Sequence, residues 1–177
     1  TYDDLAVFTR TRNYGRELLT IAGEYEFPIA YEGGVELFRT EPAKLLLAWL
    51  RILDADADRG WAVVLERAGY TLDEVDHLLA TEDYPSGMVE FRETLADFAS
   101  VGTVARRVFD HYGTTGDYAD VLLHTIQSMH NSTTLTRGEL IQFITRGIET
   151  GSTHDVHTSA DENSVTVQTI HSAKGLE

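Results

Sequence analysis

The chain contains no cysteine, so disulfides and thiolate metal sites are excluded and a reducing cytoplasm is compatible with it. Lysine is almost as scarce: Lys44 and Lys174 are the only two among 14 basic residues. No apolar run approaches the ~20 residues that a membrane span needs, and no membrane partner is expected. The opening Thr1-Tyr-Asp-Asp4 lacks the basic and apolar regions of a signal peptide. No G-x-x-x-x-G-K-[ST] pattern occurs. The chain therefore lacks the lysine and Mg²⁺ ligands that phosphoryl transfer requires.

What is present suits a folded chain. Its 177 residues, 42% of them hydrophobic, can bury a core of one or two domains. The net charge of −15 opposes nucleic-acid binding, because phosphate contacts need Lys and Arg. Acids spread over nearly every segment, with lysine so rare, suggest a halophilic cytoplasm. At molar salt the screening length falls to ~3 Å, and local contacts outweigh global charge.

Leu5-Ala-Val-Phe8 has the short apolar form of a buried parallel strand. A helix is expected next, with Tyr14, Leu18, Ile21, Ala22 and Tyr25 on one stripe. Phe27-Pro-Ile-Ala-Tyr31 reads as a second strand, with Pro28 at its start, ended by Gly33-Gly34. Strand, helix and strand in this order imply a right-handed parallel unit. The following stretch reads as helices. Glu41-Pro42 opens one carrying Leu45, Leu46, Trp49, Leu50 and Leu53. Another runs from Trp61 to Ala68 and ends at Gly69. Capping boxes stand at Thr71-Leu-Asp-Glu74 and Thr136-Arg-Gly-Glu139. Met88, Phe91, Leu95 and Phe98 make a further stripe, as do Tyr118, Leu122, Ile126 and Met129; Val104 to Tyr112 forms a helix ending at Gly113. Gly151 to Asn163 is polar, without periodicity, and is expected to be an exposed linker. Ser164-Val-Thr-Val-Gln168 alternates as a strand does.

That strand runs into Thr169-Ile-His-Ser-Ala-Lys-Gly-Leu-Glu177, which gathers hydroxyl, imidazole, ammonium and carboxylate groups at one strand end, where ligands of open α/β sheets bind. The run resembles motif V (T-x-H-x-A-K-G-L-E) of the UvrD/Rep (PcrA-like) superfamily 1 DNA helicases. The first 53 residues carry a second resemblance to that family. Val7-Phe-Thr-Arg10-Thr11 and Arg16, Phe27-Pro28 with Gly33-Gly34 and Phe38, and Leu47-Ala-Trp-Leu-Arg51 follow its pattern without a gap, although Thr9 stands where the family carries Tyr.

The resemblance implies a mainly α fold, in which a helical 2B-type insertion interrupts a small parallel β/α portion of a RecA-like (P-loop NTPase) domain formed by the two end segments. Residues 1–40 would open the RecA-like 2A domain and 41–150 would be the insertion. Residues 151–163 would link back to 164–177, the return strand and motif V. The chain is expected to be a piece of a longer protein that couples ATP hydrolysis to translocation on single-stranded DNA and unwinding, in repair. Thr169 and His171 would contact the DNA backbone, with Arg10 and Arg16 as further DNA contacts; Arg10, Arg12 and Arg16 could equally pair with Glu17 and Glu24. Glu177 would reach ATP, with Gly175 shaping the turn beside it. ATP and Mg²⁺ would belong to the whole protein, with no metal bound by this chain. Its partners would be single-stranded DNA, duplex DNA as a further option, and the remaining helicase domains (1A, 1B and the rest of 2A). Two alternatives stay open: a helicase–nuclease of RecB/AddA type, and a non-enzymatic helical interaction module.

Four other patterns weigh less. Ala68-Gly69-Tyr70-Thr71 is the nearest match to the glycine-containing turn with which 2B-type domains touch duplex DNA, but a helix C-cap is the simpler reading. Asp73-Glu74-Val75-Asp76 looks like an acidic Mg²⁺ box yet follows an N-cap Thr, where negative charge suits the helix dipole. Asp54-Ala-Asp-Ala-Asp58 has the spacing of a calcium loop without its Gly and distal Glu, and reads as a solvated connection. His154-Asp-Val-His157 offers two imidazoles without a third ligand.

Overall fold

The computed structural model describes residues 2–25, 27–32, 34–132, 134–155 and 164–170. It is mainly helical, with a small parallel three-stranded sheet. The chain divides into two compact units, one formed by residues 1–36 with 153–177 and the other by 37–152.

In the first unit the apolar opening stretch forms β1 (Ala6–Thr9), followed by α1 (Arg12–Glu24) and β2 (Ile29–Glu32). Pro28 stands just before β2, and its carbonyl accepts from the Val165 N–H at 2.9 Å. A two-residue β3 (Gly34–Val35) pairs antiparallel with β4 (His154–Asp155). The last strand, β5 (Val165–Thr169), lies between β1 and β2 and runs parallel to both. β1 and β2 are thus parallel to each other but not neighbours. The central strand is the dry one, with Val165 and Val167 buried, as a strand paired on both edges should be.

Three expectations need correction in this unit. Leu5-Ala-Val-Phe8 gives a parallel strand but not a buried one, since Leu5, Val7 and Phe8 are exposed along the outer strand of the described sheet. The stripe Tyr14–Leu18–Ile21–Ala22–Tyr25 is not the buried face of α1: Tyr14, Ile21 and Tyr25 are exposed, and Gly15 and Ala22 are buried. The helix approaches the sheet through Gly15, where an added methyl would overlap the buried Tyr31 ring. Close approach at a glycine, rather than the bulk of the aromatics, selects the face. The polar stretch from Gly151 is also not structureless throughout, since His154 and Asp155 form β4. A two-residue strand is too short to leave a periodic signal.

The second unit is built around α2 (Glu41–Ala55), with Pro42 in its first turn, where a missing N–H costs nothing. Leu45 through Leu50 are all buried, so the helix is apolar nearly all round and sits at the centre. It packs against α3 (Asp58–Arg67), α5 (Ser86–Ala96), α6 (Val101–Tyr112), α7 (Asp117–Ser132) and α8 (Arg137–Thr150). α4 (Leu72–Thr81) packs on α3. α2 and α3 meet at Gly60, where an added Cβ would lie 2.5 Å from the Ala48 carbonyl oxygen and 2.8 Å from Ile52 Cγ1. Trp49 meets Phe91 edge-on at 4.9 Å. A 3-10 turn, Leu37–Arg39, sits beside α8, with Phe38 against Gly147 and the Arg39 guanidinium donating to the Ile148 carbonyl at 2.8 Å.

The acidic connection after α2 is shorter and busier than a solvated loop. Residues 54 and 55 still belong to α2, and Asp56 caps it in a left-handed conformation, φ 48°. The Asp56 carboxylate accepts from the Trp61 indole N–H at 2.8 Å and from the Arg92 guanidinium at 3.1 Å. Tyr84 stacks on Trp61 at 3.9 Å. Burial and the nearby charges of Asp58, Asp56 and Glu82 raise the Tyr84 pKa.

Both capping boxes form. Thr71 and Thr136 each accept from the backbone N–H three residues on, while Glu74 and Glu139 accept from the threonine amide and hydroxyl. These bonds hold both glutamates below the usual carboxylate range of 4.5. A depressed folded pKa means the capping contribution is complete above the ordinary value and is lost as pH falls through the lowered one. Acid titration followed by hydrogen exchange should therefore show the first turns of α4 and α8 fraying only below pH 4.5; fraying that sets in well above it would contradict this account. Gly60→Ala should lower stability by about 1–3 kcal/mol through overpacking of the α2–α3 contact, read as a lower urea midpoint.

Candidate nucleic-acid interface

Parallel pairing brings the carboxyl ends of the strands to one edge. Thr9 and Thr169, the last residues of β1 and β5, are in register. Gln168 sits opposite both Phe8 and Glu32. Thr9, Gln168 and Thr169 are each at most 7% exposed, so this end of the sheet is both buried and polar while its middle is aliphatic. The Thr9 hydroxyl donates to the Gln168 carbonyl at 3.5 Å, and the Ile170 N–H donates to the Thr9 carbonyl at 3.0 Å. The ladder thus runs unbroken to the residue where β5 ends, and Ile170 beyond it is half exposed.

Arg10 follows β1 directly and is exposed, without a partner among the described residues. α1 then begins at Arg12 with no acid in its first turn, so its positive end is uncompensated next to Arg10. Arg16 lies one residue after Gly15, on the turn that approaches Tyr31. In sequence, the four basic residues of this unit (Arg10, Arg12, Arg16 and Lys174) all follow the ends of β1 or β5. Acids stand on both sides of the strands: Asp3, Asp4, Glu26, Asp161 and Glu162 precede them, while Glu17, Glu24 and Glu177 follow them and Glu32 ends β2.

Of the expected site residues, the fold brings together Thr169 and Arg10 at one sheet edge and places Arg16 on the helix that leaves it. His171, Gly175 and Glu177 lie outside the described residues, as does His157. Thr9, noted in the sequence only for standing where the family carries Tyr, and Gln168, not singled out there, join Thr169 at this edge, because register between strands so far apart is not written in either strand alone. A threonine ending an otherwise apolar strand was the available signal.

The other candidate patterns resolve locally. The N–H groups of Ala68, Gly69 and Tyr70 all donate to carbonyls of α3, with Gly69 at φ 94°. A phosphate would find those three amides already committed to a helix C-cap. Asp73, Glu74 and Asp76 stand in the first turns of α4, with Glu74 closing its capping box. His154 belongs to β4. Among the described residues no group of three or more His, Asp or Glu is arranged to hold a metal ion, and no helix is long and apolar enough to cross a membrane.

No protein-family model matches the chain, and no curated protein matches it.

The edge depends on α1 seating through Gly15. Gly15→Ala should accelerate hydrogen exchange of the β5 amides by raising the population of the opened sheet. Unchanged exchange rates would show that the Gly15–Tyr31 contact does not support the strands.

Proposed function

We propose that this chain is part of an ATP-dependent DNA helicase of UvrD/Rep type. In this reading residues 1–36 and 153–177 form a portion of a RecA-like motor domain, and the helices between belong to a 2B-type insertion. The observation that carries it is the place of β5. The strand leading into the motif V-like run lies between β1 and β2, parallel to both, as expected if the opening and closing stretches are halves of one sheet. The exposed Arg10 beside the polar sheet edge supports the same reading, since it offers a guanidinium to a phosphate backbone.

The faces of β1 add a second support. Val7 and Phe8 point to opposite sides of the strand, yet both are exposed, as are Leu5 and Phe27. A parallel sheet is normally covered on both faces, so apolar surface of this kind suits a portion of a larger α/β layer.

Coupling would follow from geometry. A loop that touches DNA at Thr169 and His171 and nucleotide at Glu177 shifts its grip on one ligand when the cleft closes on the other. ATP and Mg²⁺ would be held by the whole protein, because the phosphate-binding lysine is absent from this sequence. No catalytic step is assigned to this chain.

Two measurements test the proposal. The purified chain should bind a labelled single-stranded oligonucleotide weakly and with strong salt dependence. Arg10→Ala should reduce the slope of log K against log salt by about 0.7, with stability unchanged within about 0.5 kcal/mol. It should also show no DNA-stimulated ATPase. An unaltered salt slope in Arg10→Ala, or hydrolysis above background by the pure chain, would sink the reading.

A further inference from the structure

The helical unit contains a cavity of about 390 Å³ between α2, α3 and α8, within the ~300–1,000 Å³ range of small-molecule sites. Its apolar side is made by Leu47, Val63 and Ile148, and its basic side by Lys44, Arg51 and Arg59. Three of the fourteen basic residues of a chain of charge −15 therefore share one hollow. The only acid lining it is Glu149, and Lys44 is already paired with Glu41 at 2.7 Å.

Two of these groups are arginines. Elsewhere in this unit Arg39, Arg67, Arg92 and Arg137 each reach a carbonyl or carboxylate. Arg51, Arg59, Arg106, Arg107 and Arg146 reach none among the described residues, and of these Arg51 and Arg59 line one cavity. Burial, and then the charge of Arg59, lower the Arg51 pKa, the direction expected of a guanidinium partly withdrawn from water beside a like charge.

A third group points the same way. Thr81, Thr94, Thr125 and Thr150 each donate their helical hydroxyl to the carbonyl four residues earlier. Thr145, on the cavity wall, does not, and its hydroxyl is buried without a hydrogen-bond partner. An unsatisfied buried hydroxyl costs roughly 1–3 kcal/mol, so its persistence on a wall shared with two guanidiniums has the form of a site lacking its ligand.

We propose that this cavity binds a small phosphomonoester carried on an apolar or planar body, of the size and chemistry of a nucleoside monophosphate. Arg51 and Arg59 would take the phosphate oxygens, Thr145 would donate to one of them, and the Leu47–Val63–Ile148 wall would cover the body. Guanidinium pairs suit phosphate because their donors are planar and bidentate. The proposal does not rest on the helicase reading: it uses none of the sheet-edge residues, and the two fail separately.

Calorimetric titration of the full chain with AMP and with inorganic phosphate, at low chloride, tests it. One site per chain is expected, with AMP binding more tightly than phosphate because only AMP uses the apolar wall. Arg51→Gln and Arg59→Gln should each weaken AMP about tenfold or more, and Thr145→Val should weaken it less. Arg59→Gln should also raise the Tm of the unliganded chain by removing repulsion, an effect that a merely solvated surface arginine would not give. Should Arg51→Gln fail to fold, Arg59→Gln and Thr145→Val carry the test. Failure of both probes to bind at millimolar concentration, or undiminished binding in the folded variants, overturns the proposal. A single-stranded oligonucleotide that binds through Arg51 and Arg59 while AMP does not would likewise overturn it, making the hollow a nucleic-acid contact.

Discussion

The pairing of β5 with both β1 and β2 is the constraint on which the first unit depends. Among the described residues neither β1 nor β2 has another strand beside it, and residues joined across the ladder, such as Thr9 and Gln168, stand 159 positions apart. The sheet exists only once the two ends of the chain have met. Closing so long a loop costs entropy that grows only with the logarithm of its length, so a helical insertion of this size is compatible with a stable sheet. The same separation makes the sheet a late event in folding, since non-local pairing yields nothing until the loop has closed.

The helical unit follows a different logic. α2 is buried nearly all round, and five other helices cover it, so its stability comes from packing around one element rather than from a ladder. The contacts that position its neighbours are specific: Gly60 lets α3 approach, and Asp56 ties the α2 C-cap to Trp61 on α3 and Arg92 on α5. Its capping boxes act locally and would form in any context that lets α4 and α8 be helices. Such an arrangement can fold from nearby contacts.

The two candidate sites also differ in kind. At the sheet edge, polar groups are collected by strand direction: parallel strands put their last residues together, and basic residues follow those ends in the sequence. In the cavity, three basic groups come together with Glu149 as the one acid on the lining. A stable fold gains nothing from an excess of like charge beside a buried unsatisfied hydroxyl, and such local inconsistencies concentrate where proteins bind something.

Much of the framework was legible in the residues. The apolar opening strand, the helical excursion, both capping boxes and the alternating closing strand all rest on local physics, namely periodicity, side-chain capping and the backbone freedom of glycine. The face that α1 buries was not legible, because a glycine contact outweighed the aromatic stripe. Nor were the role of Asp56, the two-residue β4 or the company of Thr9, Gln168 and Thr169. Each of these depends on partners distant in sequence, which leave no mark on the local pattern. The sequence by itself determined which of the longer segments would be helix or strand. Only the tertiary structure decided that β5 separates β1 from β2 and that Arg51, Arg59 and Thr145 share a wall, because register and convergence are properties of packed pairs rather than of single segments.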